Sequence, residues 1–118
     1  MRAFKGTVSD GSKEAELKDG VVTYAAWFKS GVTAYDSVKN EFRPLYHPND
    51  IYCWPTVLKR WGDYLIIGTN GEGVVFVNLK TETLLRSEDN SDAVVQAISV
   101  KGNSVSVNDG EFTVALPK

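Results

Sequence analysis

The ten residues YHPNDIYCWP, Tyr46 to Pro55, hold the chain's one histidine and its one cysteine, with an aspartate between them. A thiolate at Cys53, drawn down in pKa by His47, would be a nucleophile. The same pair with Asp50 is also the beginning of a metal site. Neither chemistry is completed by the sequence. A structural zinc site takes four ligands at recognised spacings, and one His and one Cys per chain fall short of that. A nucleophilic Cys53 would need the loop to fold back on itself to bring His47 alongside. The acidic run Glu88-Asp89-Asn90-Ser91-Asp92 lacks the alternating acids and the following glycine of a calcium loop. The glycine-rich GTNGEG, Gly68 to Gly73, joins two apolar runs instead of opening a helix, so it is not a phosphate cradle. No catalytic residue, metal site or cofactor is assigned, and an enzyme is not expected. What the linker does offer is aromatic surface held by two prolines, which restrict the backbone before any ligand arrives. Tyr46, Tyr52 and Trp54, together with Trp27, are candidates for stacking on a sugar ring or on an apolar anchor of a protein partner. His47, Asp50, Asp89 and Asp92 are the candidate polar contacts.

The elements that must carry these residues recur along the chain. GDYLIIGTNGEGVVFVNL from Gly62 has the order apolar run, glycine-rich turn, apolar run. Stepping back 42 positions aligns Gly20 with Gly62, Gly31 with Gly73, Val32 with Val74 and Asp36 with Asn78; stepping forward 40 places Gly102 on Gly62. A period of this length marks units that bury their apolar faces only against neighbouring copies. β-Branched and aromatic residues gather in runs of five to seven bounded by Asp-Gly or Asn-Gly, which predicts strands and tight turns. Even SKEAELKDG, Ser12 to Gly20, the best helical candidate, has its apolar residues two apart, a strand spacing.

The predicted first strands are Ala15–Lys18, Thr56–Arg60 and Gln96–Val100. The second are Val21–Ala26, Tyr64–Gly68 and Ser104–Val107, and the third Val32–Asp36, Val74–Leu79 and Phe112–Leu116. Fourth strands are Phe42–Tyr46 and Thr83–Arg86. Unit three has no fourth strand before Lys118, and Ala3–Val8 is expected to supply it. One domain, 1–118, is thus divided into repeats 14–46, 56–87 and 95–118 plus the N-terminal strand 3–8.

Gly62, Asp63, Leu65, Ile66, Ile67, Gly68, Thr69, Gly73, Val74, Phe76 and Asn78 resemble the second and third strands of blades in the β-propeller superfamily, of the quinoprotein-like and tryptophan–aspartate types. The chain departs from those families in lacking the Trp-Asp dipeptide and the quinoprotein docking residues. The resemblance implies an all-β fold of three four-stranded antiparallel blades, half of a six-bladed propeller completed by dimerisation. A single β-sandwich or barrel is the alternative. Residues Val22, Tyr24, Ile66, Phe76, Val94, Val105, Val107 and Phe112 are expected to make the outward blade faces apolar, and Ala3–Val8 to close either its own third unit or the partner's. The resemblance also implies a ligand-facing rim built from the loops 27–31, 68–73 and 108–111 and from the linkers 9–13, 47–55 and 87–93. That rim gathers Asp10, Asp50, Glu72, Glu88, Asp89, Asp92, Asp109 and Glu111. The rim's aromatics do not superpose at the repeat spacing, which favours a protein partner over a carbohydrate. A structural scaffold component, such as a small phage or accessory protein, is the other reading.

With 118 residues, 42% hydrophobic and 24% charged, the composition is that of a soluble globular domain. A net charge of −2 gives no basic face for nucleic acid, and no apolar run reaches the length of a membrane helix. MRAFKGTVSDGSKEAEL lacks a signal-length apolar stretch, and one cysteine forms no internal disulfide, so a cytoplasmic location is expected.

Overall fold

The computed structural model describes residues 13–28, 30–48, 52–87 and 92–117. Their strands are β1 (Lys13–Asp19), β2 (Val22–Trp27), β3 (Gly31–Asp36), β4 (Glu41–Tyr46), β5 (Pro55–Trp61), β6 (Tyr64–Thr69), β7 (Val74–Asn78), β8 (Thr83–Arg86), β9 (Ile98–Lys101), β10 (Ser104–Val107) and β11 (Phe112–Ala115). They form three antiparallel meanders, β1-β2-β3-β4, β5-β6-β7-β8 and β11-β10-β9, with no helix among the described residues. The sheets are open, which sets aside the single-barrel alternative. The proposed strand Ala3–Val8 lies outside the described residues.

The repeat is a repeat of physical devices. Each first hairpin closes through a two-residue loop opened by a glycine: Gly20 at φ 64°, Gly62 at 55° and Gly102 at 58°. That conformation is costly for a side chain and free for glycine. After β3, the Asp36 carboxylate accepts from the Val38 and Lys39 N–H groups at 2.9 and 3.0 Å, and Asn40 turns at φ 55°. After β7, the Asn78 side-chain oxygen accepts from Lys80 and Thr81 at 2.9 and 3.2 Å, and Glu82 turns at φ 58°. The Ser37 and Leu79 N–H groups donate to Val21 and Asp63 at 2.9 and 2.8 Å, again 42 residues apart. In the third sheet the register places Ala115 where the others have Asp36 and Asn78. No side chain there can start the same turn.

The N–H groups of Lys39 and Val38 hold the Asp36 carboxyl below its ordinary pKa, the Lys39 bond contributing most. A lowered carboxylate pKa stabilises the fold above the unfolded-chain pKa, and that contribution fades as pH falls through the lower folded value. Since asparagine fills this position in the second sheet, Asp36→Asn is expected to keep the wild-type melting temperature at pH 7, whereas Asp36→Ala lowers it. Thermal melts from pH 7 to pH 2.5 check both; the gap between wild type and Asp36→Ala should shrink as the carboxyl titrates.

Packing sets the order of the sheets. One face of the middle sheet, with Leu65, Ile67, Val75 and Val77, meets Tyr24, Ala26, Val32 and Ala34 of the first. Its other face, with Ile66, Val74 and Phe76, meets Val105, Val107 and Val114 of the third. Leu65, Ile66, Ile67, Val74, Val75 and Val77 are fully buried, each contributing roughly 1.5–3 kcal/mol of apolar transfer. β1 packs on β5 and β5 on β9, so the first strands of the three sheets lie along the same side of the stack.

This packing corrects the expectation of two apolar outward faces. Val22, Tyr24, Ile66, Phe76, Val105, Val107 and Phe112 all lie in or against the two inter-sheet cores, and among the eight named residues Val94 is the exposed one. Strand alternation puts Ser99, Lys101, Ser104, Ser106, Thr113 and Ala115 on the outward face of the third sheet. The outward face of the first sheet mixes Thr23, Ala25 and Thr33 with Trp27 and the Tyr35–Phe42 ring pair, whose centroids are 4.7 Å apart.

Candidate functional site

Because each meander sends β2 and β4 (and β6 and β8) the same way, the second hairpin loops and the inter-sheet linkers emerge at one end. Hydrogen bonds fix them to one another. The Asn70 N–H donates to the Trp54 carbonyl at 2.9 Å, and its side-chain amide to the Tyr52 carbonyl at 3.0 Å. On the opposite flank of the same loop, the Gly71 and Gly73 N–H groups donate to the Ala93 carbonyl at 3.1 and 2.9 Å. Asn108 repeats the device: its amide donates to the Val94 carbonyl at 2.9 Å, and its oxygen accepts from Gln96 and Ala97 at 2.7 and 3.2 Å. In each case an asparagine in the loop between second and third strands staples the linker that precedes its own sheet. The GTNGEG loop also closes on itself, Thr69 Oγ1 donating to the Gly73 carbonyl at 2.7 Å and accepting from the Glu72 N–H at 2.8 Å.

The rim thus assembles Tyr52 and Trp54 on one side of loop 68–73 and Asp92 on the other. Tyr52 is 73% exposed. Trp54 lies against Phe28 of the first sheet's loop, ring centroids 4.8 Å apart, and fills the junction between the first two sheets. His47 is exposed and its Nδ1–H donates to the Pro48 carbonyl at 2.9 Å. Two candidates are placed elsewhere. Trp27 turns to the outward face of the first sheet, where its Nε1–H donates to Thr33 Oγ1 at 3.1 Å. Tyr46 is buried in the core between the first and second sheets, so it is a structural residue and not a contact surface. Asp50 and Asp89 lie outside the described residues.

Burial of Tyr46 creates the most polar feature of this end. Its hydroxyl donates to the Glu72 carboxylate, which also accepts from Arg86 at 2.9 Å, and the Arg86 guanidinium lies 5.6 Å from the Tyr46 ring centre. Burial and the Glu72 carboxylate push the Tyr46 hydroxyl far above an ordinary phenol pKa. Burial opposes the charge on Arg86, but its bonds to Glu72 and Tyr46 outweigh that and raise its pKa. Glu72 therefore spends its charge inward, whereas Glu111 is exposed and accepts from Asn108 at 2.9 Å, and Asp92 and Asp109 face water. Arg86, Phe28 and the stapling role of Asn70 and Asn108 escaped the sequence reading. A recurring asparagine in the second hairpin loop was the one available signal. Among the described residues no three His, Cys, Asp or Glu side chains are grouped as a metal would require, and no helix is long and apolar enough to cross a membrane.

No family model and no curated protein matches the sequence. Its fold does resemble solved structures. The crystal structure of the computationally designed Ika4 protein matches 83% of this chain with TM-score 0.65 at 14% identity. That of the designed Ika8 protein matches 81% with TM-score 0.64 at 14% identity, and a chain of the Mitotic Checkpoint Complex matches 73% with TM-score 0.61 at 19% identity. The matched region spans 60%, 30% and 26% of those chains. At such identities the likeness is one of fold, to all-β, repeat-like structures.

Proposed function

We propose that this chain is a non-catalytic recognition module, acting through the loop-bearing rim of a propeller assembled from two copies and engaging a protein partner. The observation that carries this reading is Tyr52, an exposed aromatic whose carbonyl is pinned by Asn70 within a linker bounded by prolines. An aromatic ring presented on a backbone already held still contributes contact area with little ordering cost. A carbohydrate site would need a platform flanked by acceptors, and two of its aromatics are otherwise engaged: Trp54 on Phe28 and Trp27 on Thr33. That favours a protein over a sugar.

The test is a single substitution at the rim. Tyr52→Ala is expected to leave the melting temperature within about 2 °C of wild type, as exposed positions do, while weakening partner capture at least tenfold in cross-linking compared side by side with wild type. Equal capture by both chains would overturn the assignment of the rim. Glycan-array binding lost in Tyr52→Ala would transfer the reading to carbohydrate. Light scattering addresses the assembly: a solution mass of twice the 13.0 kDa chain is expected, and a monomer at micromolar concentration would remove the propeller.

A further inference from the structure

The end opposite the rim breaks the repeat. The registers Asp19↔Val22, Trp61↔Tyr64 and Lys101↔Ser104 put Asp19, Trp61 and Lys101 at one position, the last residue before each first hairpin turn. Between the first two sheets that position is bridged, the Asp19 carboxylate accepting from Arg60 of β5. Between the second and third, Val100 stands where β5 has Arg60, and no such bridge can form. A pocket of about 440 Å³ opens there instead, lined by Trp61, Asn103, Ala115, Leu116 and Pro117, within the size of small-ligand sites. Tyr64 stacks on Trp61, ring centroids 6.0 Å apart and planes at 24°, and both rings pack against the core between the second and third sheets. The indole is thus held still before anything binds. Its Nε1–H makes no hydrogen bond among the described residues and is not buried. The Asn103 side-chain amide is likewise unbonded among them, and exposed.

We propose that this pocket binds a short proline-rich segment of a polypeptide in the polyproline II conformation. It is a second site, independent of the rim and of the two-copy assembly. The lining selects the chemistry. No ionised side chain takes part, so the ligand is uncharged there. Two hydrogen-bonding side chains stand among three aliphatic ones, so the ligand must bring few polar groups, and chiefly acceptors for the two free donors. A pyranose brings several hydroxyls, and those pressed on Ala115, Leu116 or Pro117 would lose their water without a replacement partner. Proline has no N–H to satisfy. Its ring packs on the fixed indole, and neighbouring carbonyls accept from the Trp61 Nε1–H and the Asn103 amide. A polyproline II segment makes no internal hydrogen bonds, so those carbonyls are free, and it is ordered before binding. Trp27 cannot serve the same way, because its Nε1–H is given to Thr33.

The experiment follows the indole N–H resonances of the full-length, nitrogen-labelled chain by NMR while blocked decaproline is added. The Trp61 resonance is the one missing from Trp61→Phe, a variant that keeps an aromatic ring and removes the donor. The expected result is a saturable shift of that resonance, with those of Trp27 and Trp54 unmoved. Decaproline should bind Trp61→Phe about tenfold more weakly, the loss of one well-placed hydrogen bond. Asn103→Ala should weaken binding by a similar factor without disturbing the fold, since the Leu116 N–H bonds the Asn103 backbone carbonyl. Tyr52→Ala, at the rim, should bind decaproline as wild type does, which separates failure here from failure of the rim. No movement of the Trp61 resonance at millimolar decaproline overturns the proposal, and so does wild-type affinity in Asn103→Ala. Movement with glucose or galactose but not with decaproline also overturns it and assigns the pocket to carbohydrate.

Discussion

Replacing Gly31 by alanine is expected to remove about 3–5 kcal/mol of stability, the range of a backbone clash combined with a left-handed φ. Gly31 opens β3 opposite Trp27, at φ 85°, where the chain leaves the rim and re-enters the sheet. A Cβ there would sit 2.0 Å from the Tyr46 carbonyl oxygen and 3.0 Å from its carbon. Both are backbone atoms of β4, and neither can rotate away. Gly20 is the internal control: its φ is 64°, but a Cβ would meet nothing within 4 Å. Gly20→Ala is therefore expected to cost only the conformational penalty, about 1 kcal/mol. Urea unfolding of the two variants checks the contrast. A Gly31→Ala midpoint as close to wild type as that of Gly20→Ala would mean that β3 and β4 do not approach as described.

The second large effect is expected at Glu72, the one carboxylate that answers both the buried Tyr46 hydroxyl and Arg86. Glu72→Ala strands a buried hydroxyl and takes the partner from a largely exposed cation, a loss of about 1–3 kcal/mol. Arg86→Ala should cost less, because Tyr46 keeps its acceptor, and the double variant should fall short of the sum by about 1–2 kcal/mol, as coupled neighbours do. The same network has an alkaline signature. The Tyr46 pKa is raised in the fold, mainly by burial, so the unfolded chain gives up this proton first. The contribution is full below the unfolded phenol value of about 10 and is lost as pH rises beyond it toward the higher folded value. Tyr24 is shifted the same way by burial. Melting temperatures from pH 8.5 to 11.5 should therefore fall steeply for wild type and less steeply for Tyr46→Phe, with Tyr24 supplying the remaining slope. Parallel curves would show that the Tyr46 hydroxyl is not held as described.

Strand positions were legible because the signals were local: Gly20, Gly62 and Gly102 mark the first hairpins, and the alternation of Val74–Asn78 or Ser104–Val107 marks the strands between turns. Apolar residue types alone do not say which side of a sheet faces a neighbour. Val22, Ile66 and Val105 read as outward coverings until the sheets were stacked, when all three proved to lie between them. At the rim, loops 68–73 and 108–111 do meet the described parts of the linkers before their sheets, but the sequence misjudged the part played by individual side chains. Tyr46 and Tyr52 flank the same linker, and only tertiary contact makes one a core residue and the other a surface one. Arg86 ends β8 with no counterpart at the repeat spacing, so periodicity was blind to its partnership with Glu72. Asn70 and Asn108 looked like ordinary turn residues because their hydrogen-bond acceptors lie 18 and 14 residues upstream.

The middle sheet, dry on both sides, also fixes a dimension. The first and third sheets are held apart by two sheet gaps, about 20 Å. Close-packed aliphatic layers compress little, so that width behaves as a constant of the molecule. The outward faces of the first and third sheets are therefore held at a fixed separation by the sheet between them.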